Sequence, residues 1–478
     1  MENRIIGRKK ESEILKQALD SHEAEMVSVI GRRRIGKTFL VTSTYQDKIV
    51  FELTGIQNAS LKTQLTNFRD VLEESMDIPF PMEVPSDWTT AFRLLKTYLK
   101  PKLGDYKKVI FFDELPWLAS HKSGFLQAFG YFWNSWASRQ NLVVVICGSA
   151  ASWMIQKVVN NKGGLHNRIT QRIELKPFNL SETKQYLQSR NIFFDHYQIL
   201  QIYMVLGGVP HYLKEIRPGK SAIQNIDEIC FSDTGLLKNE FVNLYAALFK
   251  NADKHTEVIR ALAGIRSGMT RLEIGEQLKL QSGGGLTTIL NELEQSGFIA
   301  SYFPFGKKKR AKLYRLTDEY SLFYLKFMET RVQGGQGTWK HLSQTQTYKS
   351  WSGYAFESIC LKHLAQIKKA LGISGVYALS STFYKKGNSA EKGAQIDLLL
   401  DRNDHVINLF EIKFYNDEWS LTKMMADELK TKKSVFKRYT NTKKQIFWTL
   451  ITTFDLQHNQ HSLGLIDNIL TMDVLFEA

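Results

Sequence analysis

"GRRRIGKT", residues 31–38, decides how the N-terminal part of this chain folds. It matches the pattern GxxxxGK[ST], whose glycines let successive backbone N–H groups turn towards the phosphates of a nucleotide. An apolar run typical of a strand, Met26–Ile30, comes directly before it, and a stretch typical of a helix follows. Strand, glycine-rich loop and helix, in that order, create the anion-binding helix N-terminus that such a loop requires. We therefore predict a phosphate-binding loop at the end of the first strand.

The whole loop is predicted to contact the nucleotide, and its last two residues have separate tasks. Lys37 should reach the β- and γ-phosphates, and the hydroxyl of Thr38 should hold Mg²⁺. The predicted nucleotide-binding residues of the loop are Gly31, Arg32, Arg33, Arg34, Ile35, Gly36, Lys37 and Thr38.

A second apolar strand supplies two carboxylates. "KVIFFDELPWL", residues 108–118, runs through apolar residues into Asp113 and Glu114. Because the carboxyl ends of parallel strands meet at one edge of a sheet, Asp113 should bind Mg²⁺ through water, and Glu114 should polarise the attacking water. An acidic pair can instead cap a helix. About 75 residues after a phosphate loop, the catalytic interpretation is favoured.

Other candidates for the nucleotide site keep two interpretations. Ser149 ends the apolar strand of "LVVVICGSAASWM", residues 142–154, and is either a sensor of the γ-phosphate or a cap of the strand terminus. Arg168 and Arg172, in "LHNRITQRIEL", residues 165–175, are candidates to stabilise phosphoryl charge across a subunit interface. Ordinary surface arginines are the alternative.

Composition limits the class of protein. A chain of 478 residues, 43% hydrophobic and 23% charged, is predicted to form several globular domains. No apolar run approaches the ~20 residues of a membrane span, and "MENRIIGRKK" has no apolar signal core, so we expect a cytoplasmic protein without a membrane partner. The three cysteines are far apart, which argues against a disulfide framework or a Cys-based zinc site.

The positive charge predicts a polyanionic partner. The formal net charge is +15, and two basic blocks lie late in the chain, "GKKKRAK" at 306–312 and the stretch 423–444. A solvated basic surface is the alternative, but such clustering favours nucleic acid.

The order of elements predicts an α/β fold in four parts. Residues 1–180 alternate strands and helices, as in a parallel sheet covered on both faces. Residues 181–250 are predicted to form a helical lid, and residues 251–332 a winged helix-turn-helix. After the glycine-rich linker "QGGQGT", 333–338, a last α/β domain is expected over 345–478.

The N-terminal motifs resemble those of the archaeal-type ATPases, which are AAA+/STAND-like P-loop proteins. The resemblance rests on "IIGRKKESEIL", "GRRRIGKT", "FFDELPWL", "GSAASWM", "NRITQRIELKPFNLSE" and "GGVPHYL", in this order. It implies that the nucleotide is ATP, that a helical lid follows Ser181, that Arg8 lies near the adenine side, and that assembly into a homo-oligomer depends on nucleotide.

A second constellation lies in "AQIDLLLDRNDHVINLFEIKFYN", residues 394–416. We interpret it as two strands around a tight turn near Asn403 and Asp404, which places Asp397 opposite Glu411 within about one residue. Strand alternation puts Lys413 on the same face as Glu411. Two carboxylates can bind Mg²⁺, or Mn²⁺, and a lysine beside them can orient water for cleavage of a phosphodiester. An amphipathic hairpin with a cross-strand ion pair is the alternative.

This C-terminal set resembles the PD-(D/E)xK, restriction-endonuclease-like fold. "WSGYAFESICLKHL", residues 351–364, predicts a glycine-started helix with Glu357, forty residues before Asp397. The resemblance implies that Asp397, Glu411 and Lys413 are catalytic, that Asp397 and Glu411 bind the metal, and that Glu357 is auxiliary. Gln395 would face the same side as Asp397.

Two other segments have a structural and a functional interpretation. The basic hairpin "FGKKKRAKLY" would be the wing and contact DNA phosphates, or the winged helix would be a protein–protein or lid module. The aromatic run "FLQAFGYFWNSWA", 125–137, is predicted to be core between helix and sheet rather than a base-stacking platform.

The sequence therefore predicts an ATPase whose nucleotide state controls a C-terminal, metal-dependent DNA nuclease, in defence or mobile-element biology. A nucleotide-switched DNA-binding or signalling adaptor, with a structural C-terminal domain, is the alternative. A toxin-like effector that depletes or senses nucleotide is a third possibility.

Overall fold

The structure is a computed structural model that describes residues 5–76, 82–160, 165, 167–279, 284–307, 311–330, 335–387 and 392–477. The chain divides into two compact units. The first is Met1–Pro177 with Ala247–Lys250, and the second is Phe178–Ala246 with Asn251–Ala478.

The first unit is built on a parallel sheet. Among its described residues the sheet has five strands in the order β2-β3-β4-β1-β5. The strands are β1 (Glu25–Ile30), β2 (Ile49–Thr54), β3 (Lys108–Asp113), β4 (Leu142–Gly148) and β5 (Gln171–Glu174). Strand β4 is buried along its whole length, as expected for a parallel sheet with both faces covered. The strand predicted at Met26–Ile30 is confirmed to within one residue, and β3 and β4 lie within the stretches 108–118 and 142–154, where strands were predicted.

Helices cover both faces of this sheet. They are α1 (Lys9–Asp20), α2 (Lys37–Tyr45), α3 (Leu61–Met76), α4 (Trp88–Leu99), α5 (Leu115–Leu118), α6 (Phe125–Ser135) and α7 (Ala151–Met154). The aromatic run of α6 is confirmed as core, because Phe125, Phe129 and Phe132 are buried in the cluster beneath the sheet.

The second unit begins with helices. They are α8 (Leu180–Ser189), α9 (His196–Leu206), α10 (Pro210–Leu213), α11 (Ala222–Phe231) and α12 (Glu240–Leu248). Capping boxes start α8, with Asn179 and Glu182, and α11, with Ser221 and Gln224. The break at "GGVP" has a steric cause. A Cβ on Gly208 would lie 1.8 Å from the carbonyl oxygen of Phe178, so only glycine allows this close approach.

Residues 252–316 form what we call the helix–hairpin segment. It consists of α13 (Ala252–Ala263), β6 (Met269–Thr270), α14 (Arg271–Gln277), α15 (Gly284–Gln295), β7 (Ile299–Tyr302) and β8 (Leu313–Leu316). Its described strands pair antiparallel in the order β6-β8-β7. Lys308, Lys309 and Arg310, at the tip of the predicted wing, lie outside the described residues, as do residues 333 and 334 of the predicted linker.

The elements after the helix–hairpin segment form a mixed sheet between helices. The helices are α16 (Glu319–Phe327), α17 (Thr338–Leu342), α18 (Gln346–Lys362), α19 (Leu364–Ala370) and α20 (Lys423–Thr440). The strands are β9 (Ala378–Lys385), β10 (Ala394–Arg402), β11 (Val406–Lys413), β12 (Trp419–Ser420), β13 (Gln445–Thr452), β14 (Leu456–Gln457) and β15 (Asn468–Thr471). In the described part of the chain, the main sheet has the order β15-β13-β11-β10-β9, and β12 pairs with β14.

The prediction that a glycine starts the helix carrying Glu357 is wrong. Helix α18 begins at Gln346, because the side chain of Thr345 accepts a hydrogen bond from the backbone N–H of Tyr348 and caps the helix there. Gly353 is inside the helix. None of the helices among the described residues combines the length and the apolar character needed to span a bilayer.

Candidate functional site

The predicted phosphate-binding loop lies between β1 and α2. Helix α2 begins at Lys37, and Gly36 precedes it with a φ of 88°, in the left-handed region that favours glycine. The loop therefore meets the positive end of the helix dipole, where backbone N–H groups lack intrahelical partners. This is the local geometry that an anion-binding loop needs.

Lys37 is held across the site by two acceptors. Its Nζ donates to the carbonyl oxygen of Arg32 at 3.0 Å and to Oγ of Ser149 at 2.9 Å. The backbone N–H of Ser149 donates to Oε2 of Glu114 at 3.0 Å, and its hydroxyl donates to Oε1 of the same carboxylate. Lys37, Ser149 and Glu114 thus form one connected network at the carboxyl edge of the sheet.

Thr38 and Asp113 also meet at this edge. The Thr38 hydroxyl donates to Oδ2 of Asp113 at 2.5 Å, and Asp113 is only 4% exposed. The backbone N–H of Glu114 donates to Oδ1 of Asp113 at 2.8 Å. Glu114 itself has a φ of 47°, a conformation uncommon outside glycine and asparagine. A hydroxyl and a carboxylate side by side are hard oxygen donors, so this pair fits Mg²⁺.

The arginines near the loop have different surroundings. Arg32 is buried, and the guanidinium of Arg33 lies over the ring of Trp117 at 5.5 Å from its centroid. Arg8, expected near the adenine side, is buried and donates from Nη2 to the carbonyl oxygen of Ile35 at 3.3 Å. Arg8 therefore supports the loop backbone directly.

Arg168 lies near the amino ends of the strands, whereas the loop lies at their carboxyl ends. It precedes β5, whose first residue pairs with Val27 at the start of β1, whereas the loop follows Ile30 at the other end of that strand. Arg168 is exposed and lines a cavity of about 530 Å³ with Arg139. The structure thus separates Arg168 from the loop of its own chain. Its role across a subunit interface stays a prediction, and Arg172 pairs with the nearby Glu174.

The second candidate site is formed by the antiparallel pair β10 and β11. Their register places Leu398 opposite Phe410, and its continuation by one residue places Asp397 opposite Glu411. The strands are joined by residues 403–405, and His405 has a φ of 64°. A three-residue loop with a left-handed third position is a common hairpin connection. The register expected from the sequence is therefore present.

Glu411 binds two lysines. Its Oε1 lies 2.8 Å from Nζ of Lys413, and its Oε2 lies 3.0 Å from Nζ of Lys432 on α20. Burial works to raise the pKa of Glu411, but the two ammonium groups outweigh it and hold that pKa below its ordinary value. Glu411 is therefore ionised at neutral pH.

The two carboxylates open into one groove. Asp397, Glu411 and Lys413 line a cavity of about 1070 Å³ together with Gln395, whose Nε2 donates to Oδ1 of Asp397 at 2.7 Å. Lysines dominate the charged lining of this groove, which contains Lys385, Lys386, Lys392, Lys413, Lys423 and Lys432. The acidic lining residues are Asp397, Glu411, Asp427 and Glu428.

Glu357 lies deeper than the groove. Burial, with a smaller contribution from the Asp397 charge, raises the pKa of Glu357 to about 8, and Arg266, Arg315 and Lys413 oppose this rise. Glu357 is thus close enough to Asp397 and Lys413 for their charges to act on it. It is not among the described residues that line the groove.

The donor set of this second site suits a hard cation. Asp397 and Glu411 offer carboxylate oxygens, which Mg²⁺ and Mn²⁺ prefer. Among the described residues there is no group of three or more His, Cys, Asp or Glu placed to hold a metal ion. A cation held here would have two protein carboxylates and otherwise water, which is the usual situation for Mg²⁺.

Comparison with known families concerns the N-terminal part of the chain. Residues 6–216 match the family described as an ATPase domain predominantly from Archaea. The chain contains an archaeal-type ATPase domain. This confirms the resemblance drawn from the N-terminal motifs, from the leading "IIGRKKESEIL" to "GGVPHYL".

One relative is similar over most of its length. An uncharacterized protein of Methanocaldococcus jannaschii, MJECL04, is 23% identical over 414 residues, which cover 86% of this chain and 87% of the relative. This similarity necessarily continues beyond the ATPase domain.

Similar solved structures include three archaeal proteins. The Walker-type ATPase PABY2304 of Pyrococcus abyssi is 16% identical and covers 67% of this chain and 96% of its own, with a TM-score of 0.48. The ORC2 protein of Aeropyrum pernix is 14% identical and covers 68% and 95%, with a TM-score of 0.41. The Cdc6p of Pyrobaculum aerophilum is 15% identical and covers 67% and 94%, with a TM-score of 0.37.

Sequence reasoning missed residues outside the ATPase domain. In the sequence, the stretch 423–444 is interpreted only as a basic block, and Lys432 within it is not singled out. The signal was present, because Lys432 lies four residues after Glu428 and three after the buried Leu429, at the border of the apolar face of α20. Arg266 and Arg315, which act on Glu357, gave no comparable signal.

Proposed function

We propose that this chain is an ATPase whose nucleotide state controls a C-terminal, metal-dependent nuclease acting on DNA. The observation that carries the nuclease part is the pairing of Asp397 with Glu411 in a groove lined by Lys413 and further lysines. A groove with this charge attracts a phosphate backbone, while its two carboxylates suit a divalent cation.

The ATPase domain brings together several of the groups that phosphoryl transfer uses. Lys37 would bind the phosphates, and Thr38 and Asp113 would hold Mg²⁺, which would supply positive charge beside the phosphates. Glu114 accepts a proton from the attacking water, and its carboxylate is oriented for this by the hydrogen bonds from Ser149. The resemblance of the chain to this family implies that ATP binding and hydrolysis are coupled to the assembly of several chains through this domain.

In the nuclease, Asp397 and Glu411 would hold Mg²⁺ or Mn²⁺, which would polarise the scissile phosphate and its attacking water. Lys413 lies beside Glu411 and would orient that water or offset charge on the phosphate. The lysines of the groove would hold the flanking phosphates without reading the bases.

Purified protein incubated with plasmid and linear DNA tests this proposal directly. We expect cleavage that requires Mg²⁺ or Mn²⁺, changes with ATP, and is lost in Lys413→Ala. The matched control is Lys430→Ala, because Lys430 also ends a Glu-x-Lys triplet, Glu428–Lys430, and is 65% exposed on α20. Equal cleavage by wild type and Lys413→Ala would refute the proposed nuclease.

One observation favours a second function, that of a nucleotide-switched adaptor. Glu411 already has a lysine on each oxygen, as a purely structural ion-pair network would. The adaptor predicts that wild type shows no metal-dependent cleavage, while Lys413→Ala lowers stability.

A further inference from the structure

The environment of Glu411 contains one positive group more than the proposed chemistry uses. Lys413 neutralises the Oε1 side at 2.8 Å, and Lys432 occupies the Oε2 side at 3.0 Å. The side chains of Glu411 and Lys432 are only 14% and 16% exposed. Water screens this contact weakly, so the Lys432 ammonium contributes a large local positive charge beside a proposed metal ligand.

Lys432 also has a second carboxylate within reach. Its Nζ lies 3.3 Å from Oε1 of Glu428, one helical turn earlier on α20. The side chain of Glu428 is 64% exposed. A lysine stem is flexible, so the ammonium can stay paired with Glu428 when it leaves Glu411. Departure from Glu411 therefore does not leave Lys432 as an unpaired, buried charge.

We propose that Lys432 is a built-in competitor of the divalent cation at Glu411. In the resting state, its ammonium occupies the position on Oε2 where the cation would bind. When the cation binds Glu411 and Asp397, Lys432 transfers to Glu428. This regulation rests on the proposed metal site, and it keeps the cation affinity of the resting protein low.

Binding of Mn²⁺ alone to the full-length, nucleotide-free protein tests this exchange. Isothermal titration calorimetry should show that Lys432→Met binds Mn²⁺ at least about tenfold more tightly than wild type, because this variant lacks the positive charge that repels Mn²⁺ at Glu411. Lys432→Arg, which keeps the charge, should stay within about threefold of wild type. Lys430→Met, on the same helix but exposed, should change the affinity less than about twofold.

Two further variants make the result decisive. Lys432→Gln should show the same gain as Lys432→Met, and circular dichroism shows which of the two keeps the native fold. The gain should vanish in Lys432→Met/Glu411→Gln if the ion binds at Glu411.

Three results would overturn the exchange: unchanged or weaker Mn²⁺ binding in the neutral variants, a gain that persists without the Glu411 charge, or no Mn²⁺ binding by any variant. The proposed nuclease fails separately, on DNA cleavage. Tighter Mn²⁺ binding without any cleavage would support the exchange and refute the nuclease.

Discussion

The buried carboxyl group of Glu357 should make the free energy of unfolding decrease as the pH rises into the alkaline range. Its pKa is raised from the ordinary 4.5 to about 8, chiefly by burial. The folded protein therefore binds a proton at Glu357 over a pH range in which the unfolded chain has released it. This contribution to stability is fully present below pH 4.5 and is lost as the pH rises through 8.

The size of the effect follows from the pKa difference. One pKa unit corresponds to about 1.4 kcal/mol, so the whole shift corresponds to about 5 kcal/mol. Between pH 6 and pH 9, wild type should lose about 2–3 kcal/mol of unfolding free energy through Glu357. Glu357→Gln, which stays neutral and has a similar shape, should not show this loss.

Urea denaturation followed by tryptophan fluorescence, at pH 6 and pH 9, measures the difference between the two proteins. The comparison cancels other groups that titrate in this range, because both proteins contain them. Equal losses of unfolding free energy in wild type and Glu357→Gln would mean that Glu357 is ionised in the folded state. The burial argument would then be wrong.

Further predictions concern the ATPase domain and a buried histidine. Lys37→Ala should weaken ATP binding at least about tenfold, measured with a fluorescent ATP analogue, whereas Lys48→Ala, at an exposed pair, should bind as wild type does. Glu114→Gln should keep ATP binding but lower the rate of phosphate release by about 10² or more; a rate within about threefold of wild type would contradict its role. Burial lowers the pKa of His363 from 6.5 to about 4, so its contribution to stability is present above pH 6.5 and is lost as the pH falls through 4. Denaturation at pH 7 and pH 5 should show a loss about 2 kcal/mol larger in wild type than in His363→Gln, and equal losses would show that His363 is not held neutral.

The residues of the predicted nucleotide site lie together because their geometry is local. Gly36, Lys37 and Thr38 are consecutive at a helix start, and a continuous apolar strand brings Asp113 to the same edge. The helix fixes where consecutive residues of the loop lie, and the parallel sheet brings the carboxyl ends of its strands together. Sequence spacing therefore predicts position in space here.

The hairpin register was predictable for a similar reason. Two apolar strands around a short turn allow few pairings that keep the same face buried, so Asp397 and Glu411 had to come within about one residue of each other. The charges that act on this pair were not predictable. Lys432 comes from a helix that follows in sequence, and its contact with Glu411 depends on how α20 packs on the sheet.

The role of Arg168 stays a prediction. Its place in the order of motifs suggests that it acts on phosphoryl charge across a subunit interface, and the strand register places it away from the loop of its own chain. The helix that carries Glu357 does not begin at the predicted glycine, because Thr345 supplies the cap of α18.

The contact of the helix–hairpin segment with the C-terminal sheet determines where a shorter fragment of this chain can begin. The backbone N–H of Phe305 donates to the carbonyl oxygen of Thr382 at 2.7 Å, so the segment shields part of edge strand β9. The ring centroids of Phe305 and of Phe436 on α20 lie 5.3 Å apart. A fragment that starts at the glycine-rich stretch near residue 335 would expose this edge and this ring, and exposed edges recruit other chains. A soluble fragment that carries Asp397 and Glu411 should therefore start before Ala252.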